Sequence, residues 1–399
     1  MATAPISLPT ETARERPEWL DKLAGQALAI LIAVVIALGL GSLIILGYGE
    51  SPLTVYGAIF QFGFGTKDGF GYVLTEATPL IFSALAVAVC FKAGMFNIGV
   101  EGQYLVGMVT ASWAALKLDF LPGPLLMWVV ILFGMLGGIA FALVPAILKV
   151  RTGAHEVVTT IMMNGIAISL VAWALAGPLK FTTEAGGHTP NLRTDPFPPN
   201  ARIPDLGHLF GIRSSVHLSW LFVGALVTAA IIWFVLKRSR LGYEGRAVGA
   251  SAGSARAGGI SIGSVQLRLF ILSGALAGLV GMQQLLGDKN YLPIGYEAAL
   301  GFTGIAVAFL GQNSAAGIVA AAIVWGVLAR GETAVQIKTD VPREFVIILQ
   351  GILIISVVVT YQLAKRRLLS RQLRRAATVE DFVDSSASAD IEGMAQEDR

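Results

Sequence analysis

Nine long apolar runs set the limits on what this chain can fold into. They cover about Leu23–Leu46, Val73–Phe91, Ile98–Leu116, Pro124–Leu148, Val157–Ala176, Leu218–Leu236, Leu269–Leu286, Ala298–Ala329 and Phe345–Tyr361. A helix needs about 20 apolar residues to cross a bilayer core of about 30 Å, because it must satisfy every backbone group internally. Composition agrees: 55% of the 399 residues are hydrophobic and 14% are charged, against about 25% charged in an ordinary soluble domain. The expectation is an all-α, polytopic helical membrane protein. Disorder, a disulfide scaffold and a cytosolic enzyme are excluded. The single cysteine, Cys90, lies inside an apolar run. The net charge is only +3, so nucleic acid is not an expected partner, while membrane lipid is.

The eighth run does not fit one span. Its 32 residues would make about 48 Å of helix, too long for one straight crossing and too short for two. Gly311-Gln312-Asn313 interrupts it. Basic residues decide the parity, since Lys and Arg accumulate in cytoplasmic loops. Lys237, Arg238, Arg240, Arg246 and Arg256 mark the loop after Leu236 as inside, and Lys365, Arg366, Arg367, Arg371, Arg374 and Arg375 mark the C-terminus likewise. Both hold only if residues 298–329 cross twice or form a re-entrant pair. The expectation is therefore ten membrane segments, some broken or re-entrant, with both termini cytoplasmic.

The domain organisation follows. Residues 1–22 are polar and form a cytoplasmic N-terminal segment. The next run is too long for a signal-peptide core, so it reads as the first span. A membrane domain extends over 23–361, with an external loop at 177–217 and a cytoplasmic loop at 237–268. Residues 362–399 make a basic, then acidic, cytoplasmic tail with seven carboxylates after Thr378, a composition typical of disorder. The external loop reads either as a plain connection or as a lip that meets a delivery protein or covers a pore mouth.

Catalytic motifs fail on inspection. Lys67 follows Gly-Phe-Gly-Thr without the order that cradles phosphate. Gly-x-Ser-x-Gly at 249–253 and 259–263 lacks a preceding strand and a nearby histidine. His155-Glu156 is followed by Thr159 where a zinc helix needs histidine. No catalytic residue, metal site or cofactor is expected. Gly134–Gly138 and Gly274–Gly278 are small-xxx-small pairs suited to close helix contact.

Polar residues at membrane depth are costly and face protein or water. The first cluster is Ala93-Gly94-Met95-Phe96-Asn97-Ile98-Gly99-Val100-Glu101-Gly102-Gln103; the second is Leu310-Gly311-Gln312-Asn313-Ser314. Paired breaks of this kind point to a transport site near the midplane. Thr160 and Asn164, four apart, share one helix face. Asn97, Glu101, Gln103, Asn164, Gln312 and Asn313 are thus candidates for a substrate path, or else helix caps and interhelical bonds. In the cytoplasmic loop, Ala250–Ala257 reads as a short helix of small residues stopped by Gly258-Gly259, able to enter a groove on another protein.

These residues carry a family resemblance. Gly-Arg-Ala-Val-Gly at 245–249, with Ala255-Arg256-Ala257-Gly258-Gly259-Ile260, resembles the coupling-helix region of ATP-binding cassette importer permeases of the branched-chain amino acid, ribose and nucleoside type. Phe96-Asn97-Ile98-Gly99-Val100-Glu101-Gly102-Gln103, the run Thr152–Asn164 and Ala306–Gly311 resemble signatures of the nucleoside and simple-sugar subgroup. The resemblance implies a transport subunit of the inner or plasma membrane that is not itself an enzyme. It implies four partners or surroundings: an ATPase with tandem nucleotide-binding domains, a second permease in a heterodimer, a periplasmic or lipoprotein substrate-binding protein, and the lipid. It also implies that Arg246, Ala250, Ala255, Arg256, Ala257, Gly258 and Gly259 couple to the ATPase. Nucleosides are the first expected solute and simple sugars the second. An ion-coupled secondary transporter is the alternative from another class, with Glu101 as its one good candidate carboxylate.

Overall fold

The computed structural model describes residues 18–181, 192–295, 299–360 and 362–363. The basic cluster Lys365–Arg375, the acidic tail, most of the N-terminal segment and residues 182–191 of the long loop lie outside them. Among the described residues the regular structure is helical throughout, with two isolated β-bridges, Arg193 with Pro293 and Asp205 with Ser219.

The helices are α1 (Glu18–Gly47), α2 (Pro52–Phe64), α3 (Lys67–Phe91), α4 (Val100–Lys117), α5 (Gly123–Thr152), α6 (Glu156–Ala176), α7 (Leu221–Arg238), α8 (Arg240–Ala250), α9 (Ala252–Ala257), α10 (Ile262–Ala277), α11 (Leu300–Leu310), α12 (Ala315–Lys338) and α13 (Glu344–Thr360). A π-helical turn, Gln283–Lys289, follows α10. Among the described residues, five helices are long and apolar enough to cross a membrane, or six if Leu31–Gly47 and Pro52–Phe64 form one broken span.

The chain divides into two units. The smaller holds residues up to Ile44 and from Gly351 onward; there Ala33, Ala37, Leu353 and Val357 are buried, and Leu43 and Ile355 are exposed. The larger, Ile45–Gln350, is built around α3. In α3 83% of the most apolar window is buried, against 22% in α7 and 28% in α5 and α6. A helix apolar all round belongs in a bundle centre. The outer helices instead turn Trp128, Met162, Ile168 and Phe234 outward, a surface that water would reject and lipid accepts.

The two small-residue pairs meet each other. A Cβ on Gly138 would lie 2.2 Å from the Gly274 carbonyl, and one on Gly278 would lie 2.2 Å from that of Gly134. The α5 and α10 backbones therefore touch directly, in antiparallel register, and α4 joins them through Gly107, whose added Cβ would sit 3.0 Å from Gly278 Cα.

Several boundaries differ from the sequence reading. Helix α2 fills a stretch read as a connection, and α3 begins at Lys67 rather than Val73. Thr66 explains that start, since its side chain accepts from Gly69 N at 3.0 Å and caps the helix. The run Leu269–Leu286 becomes the end of α10 plus the π-turn. The 298–329 run breaks at Gly311-Gln312-Asn313, into the half-length α11 and a full-length α12 that continues past the run to Lys338. Ser83 Oγ donates to the Leu300 carbonyl at 2.9 Å, and the rings of Phe91 and Phe309 lie 5.4 Å apart. So α11 runs beside the second half of α3 in the same direction. The long loop is more than a plain connection: Phe197 N donates to Asn290 O at 2.8 Å, Ile203 N to Leu286 O at 3.0 Å and Leu206 N to Leu218 O at 2.7 Å. Leu206, Ile212, Val216 and Leu218 form a small apolar core beneath it.

Candidate functional site

The first break, between α3 and α4, turns at Gly94, whose φ of +70° is a left-handed conformation natural to glycine. Asn97 follows and is fully buried. Its Oδ1 accepts from Gly99 N at 3.0 Å and from Gln103 Nε2 at 3.1 Å. Its Nδ2 donates to Gln103 Oε1 at 3.0 Å and to Ser273 Oγ at 2.9 Å. Ser273, on α10, passes its own proton to the Ala86 carbonyl of α3 at 2.7 Å. One amide thus ties three helices together.

Glu101 is 4% exposed. Its two oxygens accept from Ala299 N and Gly301 N, both at 2.8 Å, and Oε1 also accepts from Tyr104 OH at 3.0 Å. The carboxylate stands at the N-terminus of α11, where the helix dipole favours negative charge. Gly301 is required there, because a Cβ would lie 2.4 Å from Glu101 N. Asn164 reaches in from α6: Oδ1 accepts from Gly102 N at 2.9 Å and Nδ2 donates to Ile98 O at 3.1 Å. Four of the six path candidates therefore form one buried brace around the start of α4, and their polar atoms are spent on each other, on Ser273 and Tyr104, and on the backbone.

The second break differs. Gln312 and Asn313 both have positive φ, 54° and 51°. Their backbone N–H groups close the end of α11, Gln312 to Phe309 O at 2.9 Å and Asn313 to Ala308 O at 2.8 Å. Ser314 caps α12 by accepting from Gly317 N at 3.2 Å. The side chains are another matter: Gln312 Nε2 and Asn313 Oδ1 are buried and have no hydrogen-bond partner among the described residues. A buried polar atom left unpaired costs about 1–3 kcal/mol, and such an atom calls for an explanation. Phe309, three residues upstream, joins Phe91 and Phe96 in an aromatic trio with centroids 5.4–6.3 Å apart.

At the end of α7 the chain enters α8 and α9. The predicted short helix begins at Ala252, with Ser251 as its cap, accepting from Ser254 N at 3.3 Å. Ala250 instead ends α8. Ala255 is buried, whereas Arg256, Ala257, Gly258 and Gly259 are exposed. Arg246 turns back to donate to the Leu236 carbonyl at the end of α7. Lys92, in the break between α3 and α4, is held below the usual lysine range by burial, then by the charges of Arg246 and Lys237.

Two polar cavities escape the sequence reading. Thr75, Glu76, Gln284, Asp288 and Lys289 line one of about 200 Å³. Arg330, Arg213, Lys338, Asp68 and Tyr72 line part of another of about 390 Å³, with the Arg330 guanidinium 4.2 Å from the Tyr72 ring centre. The legible signal for Glu76 is an ionisable residue inside an apolar run; that for Arg330 is its place one residue past such a run.

Comparison with known proteins adds to this geometry. A family model described as branched-chain amino acid transport system / permease component matches residues 69–358. The guanosine ABC transporter permease protein NupP of Bacillus subtilis is 35% identical over 85% of this chain and 95% of its own length. The glucose ABC transporter permease protein TsgB13 of Haloferax volcanii is 32% identical over 84% of this chain and 88% of its own. The nucleoside ABC transporter permease protein NupB of Lactococcus lactis is 29% identical over 84% and 92%. A second permease of each of the two bacteria also matches at 26%: NupQ over 63% of this chain and 78% of its own length, and NupC over 64% and 78%. With a matched region covering most of a helical, lipid-facing bundle, the chain belongs to the permease-component family of branched-chain amino acid transport systems and is a multi-pass membrane transport subunit.

Proposed function

We propose that the chain forms half of the translocation path of an ATP-binding cassette importer for nucleosides. The observation that carries the reading is the 35% identity to a guanosine permease across 95% of that protein. A purine nucleoside has flat faces and a polar edge. Phe309 brings an apolar face, packed with Phe91 and Phe96 of the first break, and three and four residues on Gln312 and Asn313 each hold one buried amide atom with hydrogen-bonding capacity to spare. A path must hold solute weakly, since a deep well would trap it. Two unpaired groups meet that need better than a preformed cage would.

On this reading Gln312 and Asn313 contact the solute. Asn97, Glu101, Gln103 and Asn164 hold the backbone of the break next to it. A simple-sugar solute is the second reading, favoured by the 32% identity to a glucose permease. An ion-coupled carrier is disfavoured because the carboxylate it would use, Glu101, is already bonded to α11.

The permease domain spans 23–361 in ten membrane segments with both termini cytoplasmic. Residues 177–217 are external, 237–268 cytoplasmic, and 1–22 and 362–399 are cytoplasmic ends. Its partners are an ATPase, which docks on α9, a second permease, and a binding protein that meets the 177–217 loop. The presence of NupP with NupQ in one bacterium, and of NupB with NupC in another, supports pairing with a second, different permease.

The test is uptake of labelled guanosine and of labelled glucose by cells with and without the chain. Loss of guanosine uptake alone supports the first reading; loss of glucose uptake alone replaces it with the second. Uptake that follows the proton gradient rather than ATP hydrolysis would move the chain to the ion-coupled class.

A further inference from the structure

We infer that the cavity between α8 and the start of α10 is a binding site for a phosphate group. The cavity measures about 420 Å³, and its walls include Arg240, Tyr243, Glu244, Ser261, Ser264 and Arg268, with Gly258-Gly259 along one side. Its construction is specific. Glu244 is 7% exposed, and each of its carboxylate oxygens takes one guanidinium: Oε1 from Arg240 Nε at 2.6 Å and Oε2 toward Arg268 Nη1 at 3.7 Å. One negative charge thus positions two positive ones. The remaining guanidinium N–H groups are not used by Glu244, and the two side chains are 89% and 56% exposed. The three groups together leave one net positive charge at the cavity wall.

The end of α10 adds to it. The helix runs for 16 residues from Ile262, and its N-cap, Ser261, makes no side-chain cap bond. The positive end of the helix, about half a charge, is left without a side-chain cap there. Two planar guanidiniums, two serine hydroxyls, a tyrosine hydroxyl and a helix N-terminus together suit an anion with several oxygens set tetrahedrally. A carboxylate offers two oxygens in one plane and leaves part of this set unused. Gly258 and Gly259 place no side-chain bulk in the space.

Position bears on the source. The cavity follows directly on the end of α7, where Lys237 lies 5.6 Å from the Trp233 ring centre. Trp and Lys together mark the level of lipid head groups. On the orientation proposed above this is the cytoplasmic face, where anionic lipids gather, and basic pockets between helices on that face hold their head groups. The same chemistry would take free inorganic phosphate.

The experiment uses the complete transporter in nanodiscs and reads its unfolding midpoint. Three media are compared at equal ionic strength: phosphatidylcholine alone, phosphatidylcholine with phosphatidylglycerol, and phosphatidylcholine with added inorganic phosphate. The native complex should gain about 2–4 °C in the second medium, the third, or both. The double variant Arg240→Gln/Arg268→Gln should gain nothing. Ser264→Trp, which fills the space and keeps both arginines, should also gain nothing and serves if the double variant fails to fold. A gain only in the second medium assigns a lipid head group; a gain in the third assigns free phosphate. No gain by the native complex in either, or an equal gain by Ser264→Trp, overturns the site. So does loss of the ATPase from the double variant in all three media alike, which would give the arginines to a protein carboxylate instead.

Discussion

Replacing Glu101 removes the acceptor for two backbone N–H groups, Ala299 and Gly301, at the exact point where α11 begins. Gly301 is buried, so water cannot replace its lost bond, whereas Ala299 is exposed and can be hydrated. An unpaired buried N–H costs about 1–3 kcal/mol. Loss of the negative charge at a partly buried helix N-terminus adds up to about 2 kcal/mol. Glu101→Ala should therefore cost about 1–5 kcal/mol, at its upper end a large share of the 5–15 kcal/mol that typically holds a domain folded. Glu101→Gln keeps one carbonyl acceptor and should cost about half as much. The assay is the midpoint of heat inactivation of the purified transporter, followed by guanosine uptake per folded complex. The expected order of stability is native, then Gln, then Ala, with the Gln variant transporting at near-native rates once corrected for folded amount. A Gln variant with native heat resistance and no uptake would refute the reasoning, because the carboxylate would then act on the solute and not on α11.

The remaining predictions concern other parts of the bundle. Asn313→Ala and Gln312→Ala should lower guanosine uptake severalfold; heat resistance should hold or rise in Gln312→Ala, which removes an unpaired buried polar atom, whereas in Asn313→Ala the same gain is offset by about 1 kcal/mol because alanine tolerates the left-handed φ of 51° less well than asparagine; a larger loss of stability matching the loss of uptake would make them structural. Gly138→Leu should prevent recovery of folded protein, because even a Cβ would meet the Gly274 carbonyl at 2.2 Å; normal size-exclusion behaviour would contradict the α5–α10 contact. Gly258→Trp, on the exposed side of the α9 segment, should leave folding intact and uncouple ATP hydrolysis from uptake, whereas Ala255→Trp should damage the chain itself because Ala255 is buried; Arg256→Ala should cost about 1 kcal/mol or less. Lys92 is charged at a cost, so Lys92→Gln should stabilise the protein at neutral pH. The folded form binds fewer protons than the unfolded one between the lowered value and the ordinary lysine value, so native stability rises with pH there and the advantage of the variant shrinks; a constant difference up to pH 10 would exclude Lys92 as the cause.

Much of the bundle is legible from the sequence, because a lipid-facing helix must be written as an apolar run. What the runs conceal is the inner geometry. Helix α2 carries signals, a Ser51-Pro52 start and an apolar composition, but its 13 residues are too few to stand out as a span. The glycines at 134, 138, 274 and 278 announce close packing but not their partner, since that depends on which helices the loops bring together. The candidate site was legible as residue types and not as roles. Asn97, Glu101, Gln103 and Asn164 are polar residues in an apolar region, and that pattern is the same for a cap and for a path. Only the bonds from Ala299, Gly301 and Gly102 separate the two. Arg246 illustrates the same limit: a basic residue in a loop reads as exposed charge, yet its guanidinium closes the end of α7.

The two breaks share a composition and differ in saturation, and that difference suits a carrier that must move. Around the first break the amides and the carboxylate are paired across α3, α4, α6, α10 and α11. Shifting any one of these helices alone would strand a buried donor, so the brace resists local motion and favours movement of the helices as a body. Around the second break the backbone is satisfied but two side-chain atoms are not. A solute that pairs with them recovers part of their desolvation cost, yet two neutral hydrogen bonds at about 1 kcal/mol each hold it only loosely. Because α11 is capped at one end by the brace and runs at the other into Gln312 and Asn313, a displacement of α4 would carry those two residues with it. The break with spare capacity is thereby tied to the break without any.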